Sequence, residues 1–213
     1  MKSDLFGTTI HWLTAIYFVL GGILMVFTAH GDVVLWLNDN HSVFGDFFFK
    51  YWTHVGDGFV LAIVALGYLF LNYHKFLTLL IAIVFQTIFV HIFKQWLYAG
   101  EPRPKLYFED QLDTLNFVDG VTVRSFDAFP SGHTASAFTL AFFLMLVIRS
   151  TTWRVIFFFS AVLVGISRMY ILQHFARDVY FGSLFGILSV VLAYMIMAPK
   201  SEYPKLQKGL LRK

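Results

Sequence analysis

Apolar runs long enough to cross a bilayer alternate with short polar joints along this chain. A hydrocarbon core about 30 Å thick takes roughly 20 mostly apolar residues as a helix. Six stretches approach that length, at 10–28, 57–73, 76–94, 131–149, 153–172 and 177–198. Only Tyr73, His74 and Lys75 part the second from the third, which predicts an antiparallel hairpin. The polar link 149–152 joins the fourth to the fifth. No internal repeat and no Pro/Gly/Ser-rich linker interrupts the pattern. A single domain over 1–213 is therefore expected, with its core at 10–198 and a basic tail at 199–213. No small-residue cleavage pattern follows 10–28, so this stretch reads as a retained first helix.

Two joints are longer. In 29–56, Phe44, Phe47, Phe48, Tyr51 and Trp52 recur at helical spacing with Asp46 and Lys50 opposite, which predicts a helix lying in the headgroup region. The joint 95–130 is polar with scattered aromatics, and loops of that length inside compact proteins usually carry function or lack order.

Composition fits lipid as the solvent. Of 213 residues, 58% are hydrophobic and 14% charged, more apolar surface than a soluble domain of this size can hide. The net charge of +3 is small and the basic residues sit at the ends of apolar runs, which argues against a nucleic-acid partner. The absence of cysteine excludes disulfides and thiolate metal sites. With the N-terminus inside, the inner joints hold Lys2, Lys75, Arg149, Arg154, Lys200, Lys205, Lys208, Arg212 and Lys213. The outer joints hold Lys50, Lys94, Arg103, Lys105, Arg124, Arg168 and Arg177. The inner side is the richer in lysine and arginine, which predicts both termini on the cytoplasmic face.

Three groups of residues could carry chemistry. Lys94 and Arg103-Pro104 follow the third apolar run; taken alone, Lys94 is a helix-end lysine whose stem lies along lipid, and Arg103 an ordinary loop residue. Pro130-Ser131-Gly132-His133 opens the fourth run. Its plain reading is an N-cap by Ser131. Its functional reading is an anion site, with Gly132 allowing close backbone approach, Ser131 adding a donor and His133 beside the bound group. Ser167-Arg168, His174 and Asp178 lie around the joint between the fifth and sixth runs. Spaced i and i+4, His174 and Asp178 would share a helix face, where the carboxylate fixes the imidazole tautomer and raises the nucleophilicity of the other nitrogen. A surface pair is the plain alternative. All three groups fall at helix ends on one expected side of the membrane, where ionisable residues point to a site. Three cations, a helix N-terminus, two histidines and a carboxylate suit phosphoryl transfer, which depends on positioning and charge stabilisation.

These residues resemble a known family. P-S-G-H at 130–133 and S-R-x5-H-x3-D at 167–178 are similar to the second and third signature motifs of the type 2 phosphatidic acid phosphatase (PAP2) superfamily. The first motif departs from the pattern, because eight residues lie between Lys94 and Arg103, more than the family usually has; Lys105 is the substitute candidate. The resemblance implies an all-α polytopic membrane protein, a six-helix bundle of the PAP2/haloperoxidase-like kind. It implies that Lys94, Arg103 and Arg168 hold phosphate with help from Ser131 and Gly132. His174 would attack phosphorus, Asp178 orient it, and His133 act as general acid and then base. No metal or other cofactor is expected. The expected partners are a phosphorylated lipid and the bilayer, at a bacterial inner membrane with the site facing the periplasm.

Other readings share these residues. A phosphotransferase would pass the same phosphoryl group to another acceptor. Soluble haloperoxidases hold vanadate in a similar constellation, but six spans argue against that. A transporter or scaffold would place ionisable groups near the bilayer midplane, whereas here they lie at helix ends. His11, His30, His41, His54 and His74 have no metal-ligand spacing and read as interfacial; His91 reads as packed, and Asp57 as an N-cap.

Overall fold

The computed structural model describes residues 5–211. Lys2, Arg212 and Lys213, used above for orientation, lie outside the described residues. Helices account for all regular structure among the described residues. In chain order they are α1 (Thr8–Phe27), α2 (Asp32–Asp39), α3 (Val43–Trp52), α4 (Gly58–Leu71), α5 (Tyr73–Ile92), the single turn α6 (Pro104–Tyr107), α7 (Gly132–Val147), α8 (Thr151–Tyr170) and α9 (Ala176–Met197).

Side-chain caps set several boundaries. The Ser42 hydroxyl accepts from Gly45 N–H at 3.1 Å and starts α3. Asn72 accepts from Lys75 N–H at 2.9 Å, so α5 begins at Tyr73 and the expected three-residue joint shrinks to one residue. Ser131 accepts from Thr134 N–H at 3.4 Å and caps α7. Asp57 stands at the start of α4 without capping it through its side chain.

Of the six expected spans, four are helices long and apolar enough to cross a bilayer among the described residues: Thr8–Phe27, Tyr73–Leu97, Thr151–Tyr170 and Ala176–Lys200. A fifth candidate is a bent pair, Val43–Gly56 with Gly58–Leu71, which meet at 46°. At 1.5 Å per residue, the 14 residues of α4 reach about 21 Å and the 16 of α7 about 24 Å, both short of the core thickness. For α7 the reason is its surroundings. It packs against α5, α8 and α9 and is mostly buried in protein, so lipid thickness does not set its length.

Small residues let α7 sit that deep. A Cβ at Gly186 would lie 2.5 Å from the Ala135 carbonyl oxygen, and one at Gly182 2.6 Å from that of Ser131. These two glycines, four apart on α9, form the small-xxx-small face that lets apolar helices approach backbone to backbone. On α8, a Cβ at Gly165 would meet the Val179 side chain at 2.7 Å. Phe138, Phe142 and Met145 fill the core around α7.

Opposite ends of the bundle differ in kind. Arg154 donates to the Phe6 carbonyl at 2.9 Å, a His74 ring nitrogen lies 2.8 Å from the Met197 carbonyl, and Tyr73 N–H donates to Lys208 O at 2.8 Å. These contacts gather the chain start, the α4–α5 and α7–α8 joints and the tail at one end. The tail is thus docked on the α4–α5 joint. The end of α5, the start of α7 and the α8–α9 joint meet at the other. Gly186→Leu should lower the thermal unfolding midpoint in detergent by several degrees, since overpacking costs about 1–3 kcal/mol. Gly67→Ala, where a Cβ meets open space, should leave the midpoint unchanged or slightly raised.

Candidate active site

At that second end lies a cavity of about 350 Å³, with Lys94, Arg103, Gly132, His133, Arg168 and His174 in its wall. Six of the eight residues expected from the sequence therefore share one space. Each arrives by a different local device.

Lys94 sits in a π-turn, Phe93–Leu97, that ends α5, with Tyr98 N–H donating to the Phe93 carbonyl at 2.8 Å. Such turns re-aim side chains at the end of a regular helix. Gly100, at φ +74, then reverses the chain. Together they absorb the long spacing, so Lys94 and Arg103 reach the same cavity.

Arg103 is buried and donates to neutral acceptors. Its guanidinium donates to Phe126 O at 2.7 Å, Asp127 O at 3.1 Å, Gln173 O at 3.1 Å and Gln173 Oε1 at 2.8 Å. These bonds orient the group without cancelling its charge. Burial, then Arg124, pushes its pKa down to about 10, which leaves it charged at neutral pH. Arg168 donates to Thr53 Oγ at 2.8 Å, while its buried Nε has no partner. Its carbonyl accepts from Gln173 N–H at 2.9 Å and His174 N–H at 3.1 Å, closing the turn that presents His174. Within that turn Leu172 takes φ +57, a left-handed conformation uncommon outside glycine and typical of tightly constrained sites.

Asp178 links the second and third groups. Its backbone carbonyl accepts from Ser131 N–H at 3.0 Å, fixing the start of α7 against α9. Its Oδ2 accepts from Phe175 N–H at 2.9 Å and stands 3.5 Å from His174 Nδ1. That last contact lacks the alignment of a hydrogen bond, and Nδ1 has no other partner. The expected shared helix face is not present, because α9 starts at Ala176 and His174 precedes it. An acid three residues after the cap position bonds back to the helix start, so Asp178 caps α9 and faces the histidine from there.

Ser131 departs from its expected place. It is fully buried, its hydroxyl accepts from Thr134 N–H and Oγ–H, and it does not line the cavity. The plain N-cap reading describes it. Gly132 does line the cavity, where the first turn of α7 offers unbonded N–H groups and the positive end of its dipole.

Several residues were missed. Lys50, Thr53, Arg124 and Gln173 line the cavity from segments distant in sequence, and no local spacing marks them. Glu101 and Arg177 form a close ion pair, and Arg177 Nη2 lies 3.7 Å from Asp178 Oδ1. The Arg177 guanidinium sits over the Phe129 ring at 5.0 Å and the Tyr98 ring at 5.7 Å. The Glu101 carbonyl accepts from Ala128 N–H at 3.1 Å. Glu101 belongs to the longer stretch after Lys94, so the departure from the motif supplies a contact behind the histidine–aspartate pair.

His174 is 1% exposed. Burial above all, then Arg103, Arg168 and Lys94, hold its pKa well below the ordinary histidine value. An uncharged imidazole against a cation-lined wall can act as a nucleophile, and a second imidazole on the same wall can move a proton. Among the described residues no group of three or more His, Cys, Asp or Glu is placed to hold a metal ion.

A polytopic helical bundle with a cation-lined cavity at one end is the class this geometry defines. A family model of the PAP2 superfamily matches residues 75–202, more than half of the chain, and the chain belongs to that superfamily. Among solved structures it is similar to Aquifex aeolicus LpxE, with TM-score 0.68 and 28% identity, covering 79% of this chain and 96% of that one. It also resembles the first transmembrane PAP2-type phosphatidylglycerolphosphate phosphatase from Bacillus subtilis, with TM-score 0.63, covering 88% of this chain and 96% of that one. At 24% identity that likeness speaks to the fold alone. The bacitracin transport permease protein BcrC of Bacillus licheniformis is 35% identical over 77 residues, 36% of each chain. The chain thus matches about a third of that relative's length. The long apolar helices, on a fold shared with a transmembrane protein, make this an integral membrane protein.

The pH dependence of stability tests the buried imidazole. A histidine whose pKa folding depresses takes up a proton more readily when unfolded, so stability falls as pH drops below about 6.5. The thermal midpoint of wild type should fall more between pH 7 and pH 5 than that of His174→Asn. Equal falls would mean that His174 titrates alike in both states. Glu101→Gln should lower kcat several-fold with little change in KM, and Glu101→Asp should restore part of the loss; kinetics on the purified variants would check this.

Proposed function

We propose that the protein is a lipid phosphate phosphatase working through a phosphohistidine on His174. The observation that carries this reading is the meeting of His174, His133 and three cations on the wall of one cavity. Lys94, Arg103 and Arg168 bind the nonbridging phosphate oxygens, with Gly132 N–H at the start of α7. Nε2 of His174 attacks phosphorus, forming the N–P bond as the bond to the leaving oxygen breaks. His133 gives that oxygen a proton. Asp178 faces Nδ1 and stabilises the positive charge on the ring. Water then attacks phosphorus with His133 as its base, the N–P bond breaks, and phosphate leaves. The cations stabilise the charge that develops, so the scheme calls for no metal.

The substrate reading rests on the membrane setting. Candidates are phosphatidylglycerol phosphate, phosphatidate, undecaprenyl pyrophosphate and lipid A phosphates. In this proposal α4 and α7 serve as short spans beside the four long helices, giving six crossings in one domain. Both termini are cytoplasmic, and the site faces the periplasm of a bacterial inner membrane. The exposed Phe44, Phe47 and Tyr51 of α3 lie at the site's end of the bundle, where a lipid headgroup would enter.

The test is phosphate release by purified protein from a panel of lipid phosphates. His174→Ala should lower release by about a thousandfold or more, and His133→Ala by about 10²–10⁴-fold. Activity near wild type in both variants would reject the assignment. Radiolabel appearing in an added acceptor lipid instead of free phosphate would identify a phosphotransferase.

A further inference from the structure

The end of the bundle away from the active site holds a cavity of its own. Its volume is about 270 Å³, close to the lower end of ligand-sized pockets at about 300 Å³. The start of α5 supplies His74 and Lys75 to its wall, α7 supplies Phe143, Leu146 and Val147, and the α7–α8 joint supplies Arg149. Among the described residues no Asp or Glu side chain lines it. The wall is thus part cationic and part apolar.

Its two cations are unpaired. Among the described residues neither Lys75 Nζ nor the Arg149 guanidinium has a hydrogen-bond or ion-pair partner. Lys75 Nζ lies 5.7 Å from the Tyr68 ring centroid, a contact that steadies the ammonium without neutralising it. The helix ends add to this field. α5 begins at Tyr73, so the positive end of its dipole adjoins the cavity. α7 finishes there, and its negative end would oppose an anion. However, Met145 O and Ile148 O both accept from Arg154 Nε at 3.1 Å. The tail, held by Asn72 to Gln207 O and by Tyr73 N–H to Lys208 O, brings Lys205 and Lys208 to the same end. The rest of the wall favours a lipid over a soluble anion. Phe143 is buried, Leu146 and Val147 are half-buried, and the cavity lies where the apolar helices α5 and α8 begin. Basic pockets between membrane helices at that depth take anionic lipid headgroups.

We propose that this cavity binds the headgroup of an acidic membrane phospholipid, at the end of the bundle opposite the active site. Lys75 and Arg149 hold the phosphodiester oxygens, and the start of an acyl chain lies against Leu146 and Val147. The bound lipid ties the start of α5 to the α7–α8 joint. It therefore anchors α7 at the end opposite the one that presents His133. The site is independent of the phosphatase reading, and its failure leaves that reading untouched.

The test follows the thermal unfolding midpoint of the purified full-length chain in neutral detergent as lipid is added. A ligand bound only by the folded state stabilises it, so phosphatidylglycerol should raise the midpoint by several degrees. Phosphatidylcholine with the same acyl chains should not, because its choline cation meets Lys75 and Arg149. Combining Lys75→Gln with Arg149→Gln should abolish the rise, and Arg149→Lys alone should keep most of it. Lys94→Gln, in the active-site cavity, should leave the rise intact. Native mass spectrometry should show phosphatidylglycerol retained by wild type and lost from Arg149→Gln, an exposed position whose change spares the fold if the double variant does not. No rise in wild type, an equal rise with phosphatidylcholine, or a rise that survives in the double variant would overturn the proposal. So would loss of the rise in Lys94→Gln alone, which would put the lipid in the active site. A rise of the same size with inorganic phosphate, lost in the double variant, would assign the cavity to a free anion and would also overturn it.

Discussion

The site depends on what Asp178 joins. Its carbonyl holds Ser131 N–H, its carboxylate caps Phe175 N–H, and the same carboxylate faces His174 Nδ1. Through Arg177 its other oxygen is reached by Glu101, from the segment that follows Lys94. One residue therefore touches, directly or through one neighbour, all three stretches that build the cavity. Burying a carboxylate is costly, and the Phe175 N–H bond to Oδ2 with the Arg177 guanidinium 3.7 Å from Oδ1 offsets part of that cost, while Oδ1 keeps no hydrogen bond. The same demand that stabilises the fold thus aligns the chemistry.

Close helix packing makes this junction possible. Gly182 and Gly186 bring the α7 backbone against α9, and Gly56 brings the start of α4 against the His133 carbonyl, where a Cβ would lie 2.5 Å away. Held on both sides, the N-terminus of α7 presents Gly132 and His133 to the cavity. Arg103 and Arg168 arrive already oriented by neutral acceptors, so their charge remains available to an anion. Preorganised charge of this kind needs little rearrangement when a phosphoryl group passes through its transition state. Burial above all, and then this charge, disfavours protonation of the His174 imidazole.

Much of this was legible in the sequence, wherever the signal was local. The long apolar runs gave α1, α5, α8 and α9, and the helix-end motifs named six residues that do line one cavity. What failed depended on tertiary surroundings. α7 is shorter than a bilayer because protein encloses it, and hydropathy does not distinguish protein from lipid as an apolar solvent. His174 and Asp178 look like an i, i+4 helical pair, yet Asp178 is drawn to cap α9 and the histidine falls outside the helix. Ser131 was assigned two jobs and its burial leaves it with the capping one. Lys50 reads only as the polar face of an amphipathic stretch, Arg124 lies in a joint with no periodicity, and nothing local to Arg177 marks the Glu101, Tyr98 and Phe129 that surround it.

The central claim is that the uncharged imidazole at position 174 becomes covalently bonded to phosphorus. Rapid acid-free quenching of turnover with radiolabelled lipid phosphate, followed by peptide mapping, measures this directly. The expected result is transient label that is stable to base, labile to acid and confined to the peptide containing His174. Label on another residue, or full turnover with no labelled protein at any time, would contradict it.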